Sequence, residues 1–179
     1  MATRSPFVDS PTERGGDVSR GPIVSAMVVC GLSVLLTAGC GATIPTDPDG
    51  TLDRARGGTL RVGATANGSW VDLREGEDPA GREPDLVRSF ASTLDADVAW
   101  SSGSEEALVA GLEDGDLDLV IGGLSEDTPW SEEAGMTRPY TESIDGRGGT
   151  VKHVMLVPLG ENALLFELDS FLLGSDDPR

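Results

Sequence analysis

From residue 59 onward the apolar positions of this chain switch back and forth between two periods. Thr59-Leu60-Arg61-Val62-Gly63-Ala64-Thr65 alternates and is rich in β-formers, which predicts a strand with Leu60 and Val62 on one face. Asn67-Gly68-Ser69 breaks it, and Trp70, Val71 and Leu73 predict a short second strand before a loop over 75–80. Pro84 then sits where the first turn of a helix tolerates it, with Glu83 and Asp85 at the positive helix end. Leu86, Val87, Phe90 and Leu94 space as one face of that helix. Asp97 to Trp100 is a short strand. Ser104 caps a further helix, with Glu105 and Glu106 in its first turn, Ala107, Leu108, Gly111 and Leu112 as its apolar stripe and Gly115 as its stop. Residues 117–121 form a strand that runs into Gly122-Gly123. Near the end, 141–150 is a glycine-marked loop, 151–157 a strand, 158–160 a turn and 162–173 an amphipathic helix bearing Leu164, Leu165, Leu168, Phe171 and Leu172. Strands alternating with helices predict an α/β domain with a mostly parallel sheet covered on both faces.

Upstream of residue 59 the pattern is different. An uncharged apolar run starts at Gly21, after Arg20, and ends in Leu35-Leu36-Thr37-Ala38-Gly39-Cys40. This is a secretory h-region followed by small residues at a cleavage site. Cysteine directly after Ala-Gly resembles a bacterial lipobox, with Thr37 where that motif prefers Leu. The resemblance implies that Cys40 is lipidated and becomes the first residue of the mature chain, anchored at the extracytoplasmic face of the cell membrane. An uncleaved transmembrane anchor is the competing reading: Ile23 to Gly39 is at the lower end of the ~17–25 residues a span needs and contains serines, a threonine and glycines. The expected organisation is a signal peptide over 1–39, a disordered Pro/Gly/Asp/Thr-rich tether over 40–57, one domain over 58–173 and a disordered tail over 174–179. Of the two cysteines, Cys30 leaves with the leader and Cys40 carries lipid, so no disulfide is expected in the domain.

Charge narrows the function. The net charge is −18, from 13 basic and 31 acidic residues, and Lys152 is the single lysine. Such a field repels nucleic acid and anionic headgroups. His153, the only histidine, stands in an apolar stretch and reads as structural or edge-exposed rather than catalytic. Asp116 and Asp118 read as a turn residue and a strand-end residue. There is no phosphate loop, zinc spacing or calcium loop, and the acidic stretch 126–133 lacks regular oxygen-ligand spacing. No enzyme activity, cofactor or metal is expected.

Four segments together resemble the first lobe of solute-binding proteins of family 3, the polar amino acid receptors of ABC importers. They are Gly58-Thr59-Leu60-Arg61-Val62-Gly63, Gly81-Arg82-Glu83-Pro84-Asp85-Leu86, the run from Leu108 to Gly123, and Thr137-Arg138-Pro139-Tyr140. The resemblance implies a single lobe of type II periplasmic-binding-protein-like fold, with a C-terminal strand and helix. It also implies a ligand crevice at the carboxyl ends of the parallel strands. There Gly123 and Ser125 would read the ligand's charged head, and Asn67, Ser69 and Trp70 would face its side chain. Where the family carries an arginine that clamps the ligand carboxylate, this chain has Trp130, among Glu126, Asp127, Glu132 and Glu133. That Arg-free acidic wall suits a cationic or neutral solute, with Trp70 and Trp130 as aromatic faces; ordinary packing is the competing use of either tryptophan.

The family's second lobe is absent or vestigial in this reading, since only 141–150 separates Tyr140 from the terminal strand. Good sites bury about 70–90% of a ligand, so one wall alone is expected to bind near the millimolar range, about −4 kcal/mol. The partners implied are a small polar solute, an ABC permease or a second receptor chain, and the membrane through the lipid. An extracytoplasmic sensor or accessory lipoprotein that contacts a protein partner, and a truncated receptor without ligand binding, are the alternatives.

Overall fold

The alternation read from the sequence becomes a sheet with helices on both faces. The computed structural model describes residues 47–174. The apolar leader, both cysteines including Cys40, residues 41–46 and the tail from 175 lie outside the described residues. In chain order the strands are β1 (Thr59–Ala64), β2 (Asp97–Ser102), β3 (Leu119–Ile121), β4 (Ala134–Met136), β5 (Thr141–Ile144), β6 (Thr150–His153) and β7 (Leu156–Pro158). The helices are α1 (Thr51–Ala55), α2 (Arg82–Thr93), α3 (Glu105–Glu113) and α4 (Asn162–Gly174). The main sheet has the order β2-β1-β3-β7-β4, and β5 with β6 forms a separate two-stranded sheet. β1 pairs in parallel with β2 and β3, whereas β7 runs antiparallel to both β3 and β4.

Period two sorts the side chains. Leu60, Val62 and Ala64 of β1, Leu119 and Ile121 of β3, and Met155 and Val157 share one face. They pack against Val87, Phe90 and Ala91 of α2, Leu164, Leu168 and Leu172 of α4, and Leu52 and Ala55 of α1. Val120 and Leu156 point the other way, into a second cluster with Leu108, Val109 and Leu112 of α3. α3 lies close on that face because Gly63 has no side chain: a Cβ there would stand 2.8 Å from Leu117 Cδ1 and 2.9 Å from Leu108 Cδ2. The expected cap is in place: Ser104 Oγ accepts from the Ala107 N–H at 3.3 Å.

Four expectations change. Residues 47–57 are folded, not a tether. Leu52 and Ala55 are buried, and the N–H groups at the start of α1 find carboxylates: Glu161 accepts from Asp49 N at 3.0 Å and Thr51 N at 3.1 Å, and Asp47 from Leu52 N at 3.3 Å. A five-residue helix is too short to display a period, so composition alone misled. The stretch 151–157 is two strands, not one: Val154 N donates to Leu124 O and Met155 N to Thr137 Oγ1, where the chain crosses from hairpin to main sheet. The glycine-rich 141–150 loop is mostly that hairpin, turned at Asp145, whose Oδ1 accepts from Arg147 N and Gly149 N. Trp70 to Leu73 forms only isolated bridges, Asn67 to Val71 and Asp72 to Ala80, because the turn at 67–70 doubles the chain back at once.

Asp118 is more than a strand-end residue. It is fully buried, and its Oδ1 accepts from Arg54 Nη2 at 2.7 Å and Arg61 Nη2 at 2.5 Å, while Oδ2 accepts from the Arg61 backbone N–H at 2.8 Å. The carboxylate beside it raises the Arg61 guanidinium above its usual range. One side chain thus ties α1, β1 and the entry to β3. Removing one partner of a buried pair leaves the other charge uncompensated, and the partial exposure of both arginines tempers the loss. Asp118→Ala is expected to lower unfolding stability by about 2 kcal/mol, read as a shift in urea midpoint at unchanged m-value.

Candidate functional site

At the carboxyl ends of β1 and β3 the chain leaves the sheet through two adjacent turns, 65–70 and 122–125. Gly123 adopts a left-handed conformation (φ 61°), and a Cβ on it would lie 2.7 Å from Asn67 Nδ2 and 2.9 Å from Trp70 Cδ1. The absence of that Cβ lets the Trp70 ring lie directly on the backbone of the β3 turn. Asn67 Nδ2 donates to Gly122 O at 2.7 Å and locks the two turns together.

Beneath them sits Glu83, fully buried in the first turn of α2. Its Oε2 accepts from the N–H groups of Gly122 and Gly123, each at 2.8 Å, and its Oε1 accepts from Tyr140 Oη at 2.5 Å. Burial pushes the Glu83 carboxyl up, and the three donors oppose that shift because each needs an acceptor oxygen. From sequence, Glu83 was only an acid at a helix start; its partners lie 39 to 57 residues away.

His153 closes the crevice from the opposite side. Its ring is buried and stands 3.9 Å from the Trp70 ring, centroid to centroid, tilted by 33°. Nδ1 lies 3.2 Å from Gly123 O and Nε2 lies 2.8 Å from Ser143 Oγ. This arrangement suits a neutral imidazole that donates from Nδ1 and accepts at Nε2. Burial, with the nearby Arg82 charge, holds the ring's pKa below its usual 6.5. Arg82 carries its guanidinium carbon 4.9 Å from the Trp70 ring centroid and donates to Thr141 Oγ1 at 3.2 Å.

Of the candidates from sequence, Asn67, Trp70 and Gly123 converge, and Ser125 joins them through a backbone bridge to His153. Ser69 is exposed in the turn beside Trp70. Trp130 stands apart: its Nε1 donates to Glu105 Oε2 at 3.3 Å and its ring packs on the α3 cluster. The acidic wall is dispersed as well. Glu126 pairs with Lys152 at 3.0 Å, and Glu132 and Glu133 line a cavity of about 460 Å³ with Arg54 and Arg61 at the other end of the sheet. The wall 124–133 has no arginine, yet Arg82 brings one guanidinium to the crevice from α2. Glu83, Tyr140, Arg82 and His153 were not legible as site residues: the first three lie in segments that carry the resemblance, but the contacts that bring them to the crevice are made across long stretches of chain.

No protein-family model and no curated protein sequence matches the chain. Solved structures do. The arginine-bound form of domain 1 of TmArgBP, a T. maritima protein, is 21% identical with a TM-score of 0.59, covering 67% of this chain and 95% of that one. An ancestral cationic amino acid solute binding protein is 15% identical with a TM-score of 0.58, covering 68% and 92%. A Salmonella typhimurium periplasmic binding protein described for its high arginine specificity is 12% identical with a TM-score of 0.55, covering 64% and 91%. At such identities the likeness establishes the fold: the described residues form a lobe of the periplasmic-binding-protein kind.

Two outcomes follow from the geometry. Glu83→Ala removes the acceptor of the buried Gly122 N–H and the half-buried Gly123 N–H, at about 1–3 kcal/mol per unsatisfied group, so chemical denaturation should show a loss of about 2 kcal/mol or more. Because the folded state disfavours protonated His153, stability from this ring is complete above pH 6.5 and declines as pH falls below it. An NMR titration of the lone histidine should give a midpoint below 6.5 in the folded chain and near 6.5 in urea.

Proposed function

We propose that this chain is an extracytoplasmic solute-binding module, held at the cell membrane by lipid on Cys40, that offers a small amino-acid-like or cationic solute to an ABC importer. The observation that carries the reading is the meeting of Trp70, Gly123 and Ser125 at the carboxyl ends of β1 and β3, where open α/β sheets bind ligands. The Trp70 face suits a cation or a flat ring, and the Arg82 guanidinium carbon lies 4.9 Å from the ring centroid. The similar proteins support a cationic amino acid in particular, and an arginine-bound single domain among them supports binding by one lobe. Among the described residues no helix is long and apolar enough to cross a membrane.

The role is binding rather than conversion. One similar ancestral protein is described as a precursor of cyclohexadienyl dehydratase. Here the histidine has both ring nitrogens engaged and Glu83 is enclosed by its donors, so neither is poised to move a substrate proton. A second reading has its own support: the N–H and C=O groups of Gly122 and Gly123 are already paired within the chain. That favours an accessory lipoprotein whose crevice is closed and whose outer surface meets a protein partner.

Calorimetry and Trp fluorescence on the purified chain with arginine, lysine, putrescine and glutamate separate the two. The first reading expects saturable arginine binding at submillimolar to millimolar Kd, lost in Trp70→Ala, with glutamate weaker. No saturation by any of them up to about 10 mM overturns it in favour of the second.

A further inference from the structure

The His153 ring lies on Trp70 and against the Gly123 carbonyl at the carboxyl ends of β1 and β3, where open α/β sheets bind ligands. We propose that His153 is a built-in occupant of the solute crevice, and that the solute it stands in for carries a planar N–H-donating head, a guanidinium or an imidazole, which must displace it. The inference rests on the solute-binding reading and names its ligand class and its gate.

The His153 imidazole makes the contacts expected of a bound head group. It stacks on Trp70 at 3.9 Å, and its Nδ1 meets the Gly123 carbonyl at 3.2 Å. Nothing else on β6 projects into the crevice in this way: Val151 is half-buried, and Lys152 turns outward to its ion pair with Glu126. A flat donor is what the position accepts. The Gly123 oxygen needs an N–H, and the Trp70 face needs a plane or a cation above it. Guanidinium and imidazole provide both, while a carboxylate provides neither.

The element carrying His153 is suited to leave. β5 and β6 form a ladder with each other and none with the main sheet; one backbone bridge joins His153 to Ser125. From Ile144 to Thr150 every residue is exposed, and Ile144 itself is 69% exposed. Among the contacts that seat the hairpin are the Trp70 stack, the Gly123 contact of the ring, the backbone bridge to Ser125, the Tyr140 N–H donating to His153 O at 3.1 Å, the Arg82 to Thr141 bond and the exposed Lys152–Glu126 pair. Apart from the stack these are polar, in contrast to the apolar packing of β7 one step further along the chain. Segments held this way open at low cost relative to the core.

The chain's single histidine makes the test direct. Its ring signals report the Trp70 stack, and arginine added to the wild-type chain is expected to move them to solvent-exposed positions. His153→Ala empties the position, so arginine should bind about tenfold tighter or better, the gain expected when an internal competitor seated most of the time is removed. Free imidazole should then bind His153→Ala, quenching Trp fluorescence, and leave the wild type unchanged. Equal arginine affinity in both chains, with unmoved histidine signals, overturns the occupant while leaving the solute reading intact. Imidazole binding to His153→Ala with no arginine binding to either chain upholds the occupant and removes the solute reading. Should His153→Ala fail to fold, Ser143→Ala removes only the Nε2 partner. Tighter arginine binding by that variant supports the proposal, and unchanged affinity overturns it.

Discussion

A carboxylate with no counter-charge in hydrogen-bonding contact organises this fold. Glu83 is out of water entirely, and two backbone N–H groups from the end of β3 and one phenol from the segment leading to β5 supply what solvent would have supplied. An ionised acid in that position is costly unless each lone pair it presents finds a donor. Meeting that condition requires α2, the β3 turn and Tyr140 to arrive together. The crevice inherits its shape from this requirement: the same glycines that donate to Glu83 expose their carbonyls to Asn67 and His153.

The device recurs. Asp118 gathers two guanidiniums and a backbone N–H at the other end of the sheet, and Glu161 receives two backbone N–H groups at the start of α1. In a chain of net charge −18, three acids are thus placed inside rather than on the surface. Their donors come from segments 39 to 112 residues distant. With no cysteine in the described residues, these long-range polar ties and the two apolar clusters hold the sheet, α1 and the two turns in register.

In the proposed reading, an aromatic face and a carbonyl at the carboxyl ends of parallel strands form the seat for a flat N–H donor. Among the described residues a short hairpin stands against these groups and places the His153 ring on Trp70. If the chain binds a solute as proposed, affinity depends on two quantities, the intrinsic strength of the seat and the fraction of time the hairpin is away.

Amphipathic period and capping chemistry determined by themselves that β1, α2, β2, α3, β3 and α4 would form and which faces β1, α2 and α4 would bury; on α3 the buried face is shifted, with Val109 inside and Ala107 exposed. The apolar positions of these elements, and Ser104 at a helix start, act within a few residues of chain, which is the range a sequence pattern reports. Only tertiary structure decided the rest. α1 is a helix because Glu161, more than a hundred residues away, caps it; 151–157 breaks in two because its halves join different sheets; and Trp130 serves packing because Glu105 holds its ring. Glu83 and His153 carry ordinary local contexts, and their roles arise from partners brought near by the closed sheet. A polar side chain's function is set by what it meets in space, and the chain records that meeting in no single stretch of residues.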